Sequence, residues 1–307
     1  MANSTLLQLV TDAAGEMGAG IPSTVVGNQT TNVVQLLALA NGVGNQLIRE
    51  HQWQASTVEY RFTTVYYQYT AATTNGSTTI SALSSTTGLT TSPTLFMVTG
   101  TGIPQDTYLV SVNAGASTAV LSNAATASGT VTLTFSQTKY AWPDDYDRLI
   151  ERTEWDKSQH WEMVGPETAQ QWQWLKSGFI ATGPRARFRP LGGYFQVWPP
   201  LSTDDLLGFE YVSKYWIYAT GSTTLSKARF SVDTDTCIFP DRLMVAGIKK
   251  AYYAAKGFAP QWDDEYDMAL TLAKGYDAGS QTLSFAPRGG ADQLITINNI
   301  PDSGYGS

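Results

Sequence analysis

The sequence predicts an α+β protein with a four-helix body formed by N- and C-terminal helix pairs, an antiparallel β region, and an inserted small all-β module. Apolar residues recur at helical spacing near both ends of the chain and alternate with polar residues in the middle. Residues 71–136 are rich in Thr, Ser and Gly, and Asp106 is the only charged residue between Phe62 and Thr138. These three observations define the expected fold class.

Two helices are expected within residues 1–56. The first covers 5–18, Ser4 can cap it, and the Gly-rich stretch up to Pro22 ends it. Its apolar face consists of Leu6, Leu9, Val10, Ala13 and Met17. The second covers 31–51, with Val33, Leu36, Leu37, Ala40, Val43 and Leu47 on one side. A short connection predicts that the two pack as an antiparallel pair.

The β region is expected in two pieces, 57–70 and 137–239, on either side of the inserted module. Alternating residues predict a single strand over 57–70. Within the module, short β-branched runs are separated by turn residues, and they contain enough Val, Leu and Phe to bury; disorder is the alternative interpretation. Further strands are predicted over 146–155, 185–190, 193–198, 207–217 and 228–233.

Two local signals refine the second piece of the β region. A helix is expected from Gly165-Pro166 onward, because Pro is favoured at the first helical position. The turn Leu191-Gly192-Gly193 predicts a hairpin between the strands on either side of it.

A second helix pair is expected over residues 240–282. The first helix, 240–257, carries a face of small residues, and the second, 262–281, places Trp262, Tyr266, Ala269, Leu272, Ala273 and Tyr276 in phase. Residues 283–307 are expected to form an extended tail, in which Leu294, Ile295, Ile297 and Tyr305 are candidates for contact with a neighbouring protein. Edge pairing of 294–297 with another chain would be a strand addition.

The composition favours an assembly component over a nucleic-acid-binding protein. Only 15% of the 307 residues are charged, where about 25% is usual. Nine Trp and sixteen Tyr fit an interface, because such rings are enriched there. The net charge of −7 argues against gripping phosphates but allows DNA to pass. A single cysteine, Cys237, excludes an intrachain disulfide. We expect no membrane span and no signal peptide, hence synthesis in a cytoplasm.

The best catalytic candidates are the acidic side chains between 144 and 156, since paired carboxylates could serve a glycosidase. They are Asp144, Asp145, Asp147, Glu151, Glu154 and Asp156. Interleaved Arg148, Arg152 and Lys157 favour a solvated, ion-paired ribbon instead. On a strand, Glu151 and Glu154 would also face opposite sides.

The remaining candidates also have a structural interpretation. Asp263, Asp264, Glu265 and Asp267 complement a helix dipole better than they hold a divalent cation. His51 and His160 each lack a second ligand at metal spacing. Arg185, Arg187 and Arg189 alternate with Phe188 on the opposite face, which favours a protein partner over DNA. We therefore expect neither a catalytic residue, a cofactor nor a metal.

The order of motifs between 142 and 216 resembles the head-to-tail adaptor proteins of short-tailed bacteriophages, the group that includes tail tubular protein A. The motifs are Trp142 to Asp156, Gly165-Pro-Glu, Gln171 to Gly178, Gly183 to Arg189, Val197-Trp-Pro-Pro200 and Phe209 to Trp216. The opening helices, with a Gly-Ile-Pro break and a closing Trp53, are similar too. The similarity covers about 1–70 and 137–285, and the 71–136 insert departs from it.

This resemblance implies a structural protein of the virion neck, assembled in the host cytoplasm, without chemistry of its own. Such adaptors form a ring, usually dodecameric, under the portal protein, with C-terminal tails that reach the portal. The ring offers a platform for the tail nozzle protein and fibres and forms part of the DNA ejection channel. Asp263, Asp264 and Asp267 are then candidates for the channel lining.

Two other function classes stay open on sequence alone. A tail-associated glycan hydrolase would need a carboxylate pair in one cleft. A surface adhesin or fibre-like module would account for the Ser/Thr-rich β segment, but four helices oppose it.

Overall fold

The computed structural model of the chain describes residues 3–178, 183, 185–258 and 263–278. Within them the protein is α+β, with five α-helices and several antiparallel sheets. The helices are α1 (Leu6–Glu16), α2 (Thr31–Glu50), α3 (Ala169–Lys176), α4 (Asp241–Ala255) and α5 (Asp263–Ala278). The expected mixture of terminal helices and central strands is therefore confirmed.

The N-terminal cap of α1 differs from the expectation. Thr5, and not Ser4, accepts from the backbone of Gln8, whose side chain bonds back to Thr5 in a capping box. Ser4 instead donates its hydroxyl to Asp241 at the start of α4, at 2.6 Å. The hydrogen bond from Ser4 to Asp241 thus links the start of α1 to the C-terminal helices.

The helices do not support a separate four-helix body. Helix α4 packs against α1, α2 and α5, but their shared hydrophobic cluster is completed by the segment 216–239. Trp216, Ile217, Phe230, Cys237 and Phe239 are all buried in that cluster. The correction has a physical reason: these helices leave space beside α2 that a large aromatic side chain fills, and Gly44 lies against Trp216.

The main sheet of the central β region combines distant parts of the chain. The strands are β1 (Thr57–Thr63), β9 (Tyr146–Leu149), β10 (Trp155–Asp156), β11 (Trp161–Glu162) and β14 (Leu206–Ser213). Strand β14 pairs antiparallel with β1, β9 and β10, and β10 pairs with β11. A second sheet contains β8 (Lys139–Ala141), β12 (Arg187–Leu191) and β13 (Tyr194–Trp198). Aromatic side chains of both sheets, including Phe188, Phe195 and Phe209, form one core.

Residues 66–137 form two three-stranded sheets around their own hydrophobic cluster. One sheet has the order β2 (Tyr66–Thr73), β7 (Gly129–Gln137) and β4 (Phe96–Thr99). The other has the order β3 (Thr79–Ile80), β6 (Thr118–Leu121) and β5 (Leu109–Asn113). The buried cluster contains Ala71, Ile80, Leu83, Leu89, Phe96, Val98, Leu109, Ala119, Leu121, Leu133 and Phe135.

The single strand predicted over 57–70 is two strands in different sheets. Strand β1 pairs with β14, whereas β2 pairs with β7. The break falls at buried Thr64, whose hydroxyl donates to the carbonyl of Thr203 at 2.6 Å and accepts from the amide of Asp205 at 2.8 Å. These bonds hold Thr64 against the loop that contains Thr203 and Asp205. The alternation of apolar and polar residues therefore continues past Thr64, although the chain passes there from one sheet into another.

Three other predicted elements are shorter or shifted. The strand expected over 146–155 ends at Leu149, and a turn with Arg152 at a φ of 68° follows. The helix expected from Pro166 begins at Ala169, because the amide of Glu167 donates to the carbonyl of Phe188 instead. Residues 228–233 are not a strand; a further three-stranded sheet near them contains β15 (Ile217–Tyr218), β16 (Leu225–Lys227) and β17 (Thr236–Cys237). The hairpin at Gly192-Gly193 joins β12 to β13 as predicted.

In the part of the chain that the structure describes, every helix is either too short or too polar to cross a lipid bilayer.

Candidate interaction surfaces

Three of the six carboxylates between 144 and 156 hold local structure. The Tyr211 hydroxyl donates to Asp145 at 2.6 Å, and Arg148 donates to Asp147 at 3.0 Å. Asp156 accepts the amides of Ser158 and Gln159, both at 3.0 Å. The expected solvated, ion-paired ribbon is therefore only partly observed: Asp147 pairs with Arg148, whereas Asp156 is buried and accepts backbone amides.

Glu154 is the member of this group with the most unusual environment. It is buried, burial raises the pKa of its carboxyl, and its Oε1 atom has no hydrogen-bond partner among the described residues. Glu151, the other half of the pair considered for catalysis, is exposed on the turn after β9. No group of three metal-ligating side chains occurs in residues 3–178, 183, 185–258 and 263–278.

The three alternating arginines have unequal surroundings. Arg187 and Arg189 lie on one face of β12, opposite the buried Phe188, whereas Arg185 is exposed before the strand begins. Arg187 Nη1 lies 2.5 Å from the Oε1 atom of Glu167, a carboxylate that is itself 5% exposed. One of the three positive charges is therefore neutralised inside the chain.

The acidic first turn of α5 lies at the surface. Asp263 Oδ1 lies 3.0 Å from Lys250 Nζ, and Asp267 Oδ1 lies 3.8 Å from the same atom. Asp264 is exposed and forms no ion pair among the described residues. Since Lys250 is on α4, two of the three acids contribute to helix packing, and Asp264 is left facing solvent.

A buried lysine joins three of the helices. Lys249 of α4 is 1% exposed in its side chain and ion-pairs with Glu16 of α1 and, at 2.8 Å, with Glu265 of α5. Arg242 contacts the same two carboxylates from the surface. The hydrogen bond from Lys249 is the main reason that the pKa of Glu16 is lowered. The network was missed because Glu16 is 233 residues away from Lys249 in the sequence.

The inserted sheets contact the parent β region through a small aromatic cluster. Met97 of β4 is buried together with Trp172 and Leu175 of α3 and Trp198 of β13. Beside it, Lys176 donates to the Tyr108 hydroxyl at 2.9 Å and lies 3.1 Å from Asp106. A shallow cavity of about 230 Å³ lies next to Trp198 and Asp106. The insert is therefore fixed to the parent fold on one side.

Helix α5 carries a row of exposed apolar side chains. Met268, Leu272 and Tyr276 are 66%, 53% and 83% exposed, and they follow each other at intervals of four residues. The sequence analysis placed Leu272 and Tyr276 in phase with Tyr266 and Ala273, but the expected single face is wrong: Tyr266, Leu270 and Ala273 are buried, whereas Leu272 and Tyr276 are exposed. Trp262 of the same set lies outside the described residues. Met268 precedes Leu272 and Tyr276 at the same four-residue spacing, and this spacing in the sequence indicates a second apolar face on α5.

The candidate contact residues of the tail, Leu294, Ile295, Ile297 and Tyr305, lie outside the described residues. Their role remains a prediction.

Comparison with known proteins agrees with the adaptor resemblance. No curated protein matches the chain. The family model described as SU10 adaptor protein matches residues 106–288, which is more than half of the chain's 307 residues. The match includes the last part of the insert, and likeness to tail tubular protein A in particular stays a prediction. The predicted resemblance to phage adaptors is confirmed at the level of the family: the chain belongs to the SU10 adaptor protein family.

Proposed function

We propose that the protein is a head-to-tail adaptor that docks under the portal protein as a ring of identical chains. The ring connects the portal to the tail nozzle protein and to fibres, and it forms part of the channel through which DNA leaves the head. The observation that carries this proposal is the membership of the adaptor family. A ring of twelve copies and a short-tailed phage belong to the proposal.

The surfaces of the chain support a role in assembly. Three of the acidic candidates for catalysis, Asp145, Asp147 and Asp156, accept hydrogen bonds or form ion pairs within the fold, whereas three large apolar side chains of α5 are exposed. A row of exposed apolar side chains typically marks a contact with another protein. Residues 294–297 and Tyr305 are assigned to the portal or a neighbouring copy, and the exposed Arg185 with Arg189 to a protein partner.

DNA is proposed as a passing duplex that the wall does not hold. The acidic turn of α5, with Asp263, Asp264 and Asp267, is the candidate lining. Negative side chains repel phosphates, so a lined channel of this kind would not retard the duplex.

Assembly with the purified portal protein of the same phage tests this proposal. The full chain is mixed with portal rings and examined by electron microscopy and native mass spectrometry. We expect a monomer or weak oligomer alone and a ring on one end of the portal. A protein that leaves the portal bare, or a stable dimer indifferent to portal, would contradict the proposed function.

A further inference from the structure

We infer that the exposed face of α5, formed by Asp264, Met268, Leu272 and Tyr276, is a docking surface for the exposed face of α2 in a second copy of this chain. This inference rests on the proposed function and deepens it, because it names the surfaces through which neighbouring copies of the ring meet.

The α5 face cannot be covered by helix α2 of its own chain. Tyr266, Lys274 and Asp277 point toward the end of α2: Lys274 contacts Glu50 at 3.1 Å, and Asp277 contacts His51 at 3.3 Å. With 3.6 residues per turn, Met268, Leu272 and Tyr276 lie on the side of α5 away from those contacts. A helix that covers this face therefore cannot be α2 of the same chain.

Helix α2 presents a surface of opposite shape. Val34, Ala38 and Gly42 are exposed at intervals of four residues, and a Cβ atom at Gly42 would meet nothing within 4 Å. Val34 is 48% exposed. Small side chains from Val34 to Gly42, before the exposed Gln46, let another helix approach closely there, and the three large side chains of α5 would supply the packing partner. The small side chains of α2 do not identify a binding partner by themselves. Their match in shape to the large side chains of α5 does.

Charge decides the orientation of the two helices. Arg49 lies on the same face of α2, with its side chain 76% exposed and its ion-pair partner Asp147 as far as 4.0 Å away. Asp264 precedes Met268 by one turn at the start of α5 and has no ion pair among the described residues. Antiparallel packing brings Arg49 to Asp264 while Val34 approaches Tyr276. The two faces match in length, at about 22 Å from Val34 to Arg49 and about 18 Å from Asp264 to Tyr276.

The contact is between two different surfaces of the chain. Such a head-to-tail interface leaves one free α2 face and one free α5 face on every pair of copies, so further copies add, and a ring closes where the rotation between copies allows it. Asp264 is then part of the contact between copies, and the channel wall retains Asp263 and Asp267. An interface of this kind also accounts for apolar residues that a free monomer would expose to water.

Cysteine cross-linking on the portal tests the pairing. The chain has one native thiol, Cys237, which is buried, and burial raises its pKa to about 12, so it does not compete with introduced thiols. A variant with both Ala38→Cys and Leu272→Cys, bound to portal and oxidised, should give a ladder of covalent oligomers. The matched control pairs Ala38→Cys with Val110→Cys, a site 46% exposed on the insert, and should give no ladder.

Charge and polarity variants give a second readout on the same surfaces. Leu272→Asp should reduce the yield of rings at least about tenfold, because it places a charge in an apolar contact. Arg49→Asp or Asp264→Arg should each weaken association about two- to fivefold per contact, and their combination should restore it. All these positions are exposed in the free chain, so far-UV circular dichroism should stay unchanged, and Tm should fall only slightly for Asp264→Arg, which reverses a charge in the first turn of α5.

The other outcomes are distinguishable. Dimers from Leu272→Cys alone would show that α5 pairs with itself, which overturns the inference. Rings on the portal that lack the Ala38–Leu272 cross-link would also overturn it while leaving the proposed function intact. A chain that forms no ring on the portal in the wild-type form would remove the proposed function and this inference together.

Discussion

At the scale of single residues, the contact between Gly44 and Trp216 sets how closely helix α2 packs on the rest of the fold. Trp216 is fully buried, and a Cβ atom at Gly44 would lie 2.1 Å from its ring. Gly44→Ala should therefore lower the free energy of unfolding by about 1–3 kcal/mol, since an overpacked core must shift. Gly42 in the same helix has open space around it, so Gly42→Ala should raise that free energy by about 0.5–1 kcal/mol. Urea unfolding measures both, and equal effects would contradict the packing.

The ion-pair network around Lys249 predicts how stability responds to acid. The pKa of Glu16 is lowered from its ordinary value of 4.5, first by the hydrogen bond from Lys249. A carboxylate with a lowered pKa contributes stability above pH 4.5 and loses it as the pH falls through the folded-state pKa. Glu16→Gln should thus lower Tm clearly at pH 7 and less at pH 3. The exposed Glu151→Gln is the control, and a pH-independent difference for Glu16→Gln would refute the linkage.

Residue-level chemistry was predictable where it depends on near neighbours in sequence. The alternation around Phe188 placed Arg187 and Arg189 on the outer face of β12, as observed. The partner of Arg187 is Glu167, which is brought close by the pairing of Val164 with the strand, and the sequence gives no sign of it. Long-range charge partners depend on the fold and not on spacing.

At the scale of elements, strand β2 belongs with the insert and predicts where the insert can be removed. Tyr66 pairs with Ser136, and the amide of Gln137 donates to the carbonyl of Val65 at 2.8 Å, so the two chain ends are adjacent. A variant with 66–136 replaced by a short Gly-Ser loop should keep the helical circular dichroism. Its Tm should fall, because Trp172 and Trp198 lose their contact with Met97.

The corresponding cut at 71–136 is the matched comparison. It leaves residues 66–70 without their partner strand β7, and an unpaired edge promotes aggregation. Size-exclusion chromatography should therefore show more aggregate for this variant than for the 66–136 replacement. Failure of the 66–136 replacement to fold would show that the parent fold depends on the insert.

Helix positions were predictable because their apolar periodicity is strong, and the ends of α1, α2 and α4 lie within two residues of the expectation. The burial of α5 was predicted less well. Two apolar rows share this helix, and periodicity alone does not tell which row faces α4. The rotation of α5 about its axis is set by ion pairs on its two flanks, Glu265 with Lys249 and Lys274 with Glu50. These are tertiary contacts, which helical periodicity does not reveal.

At the scale of the whole molecule, charged residues are few, and many of the basic side chains form ion pairs with carboxylates of the same chain. The protein has 19 basic and 26 acidic residues. Lys249, Lys227 and Arg187 pair with carboxylates of the same chain. Few positive charges are therefore left to contact a polyanion, whereas three large exposed apolar side chains lie in one row on α5. This distribution fits a subunit that binds other proteins.

The same distribution predicts that the free protein does not hold DNA. Each Lys or Arg placed on a phosphate adds salt-dependent affinity, and a passive channel needs few of them. Duplex binding by the isolated chain should be no tighter than about 100 µM at about 50 mM salt. The arginines near β12 are the residues most able to bind phosphate. Arg185 is exposed and Arg189 is half-buried, whereas Arg187 is paired with Glu167. Fluorescence anisotropy with a labelled duplex measures the affinity, and the triple variant Arg185→Ala, Arg187→Ala, Arg189→Ala is the comparison. Micromolar binding that weakens steeply with salt and disappears in the triple variant would mean that the chain carries a basic belt, and it would contradict the proposal that DNA passes without being held.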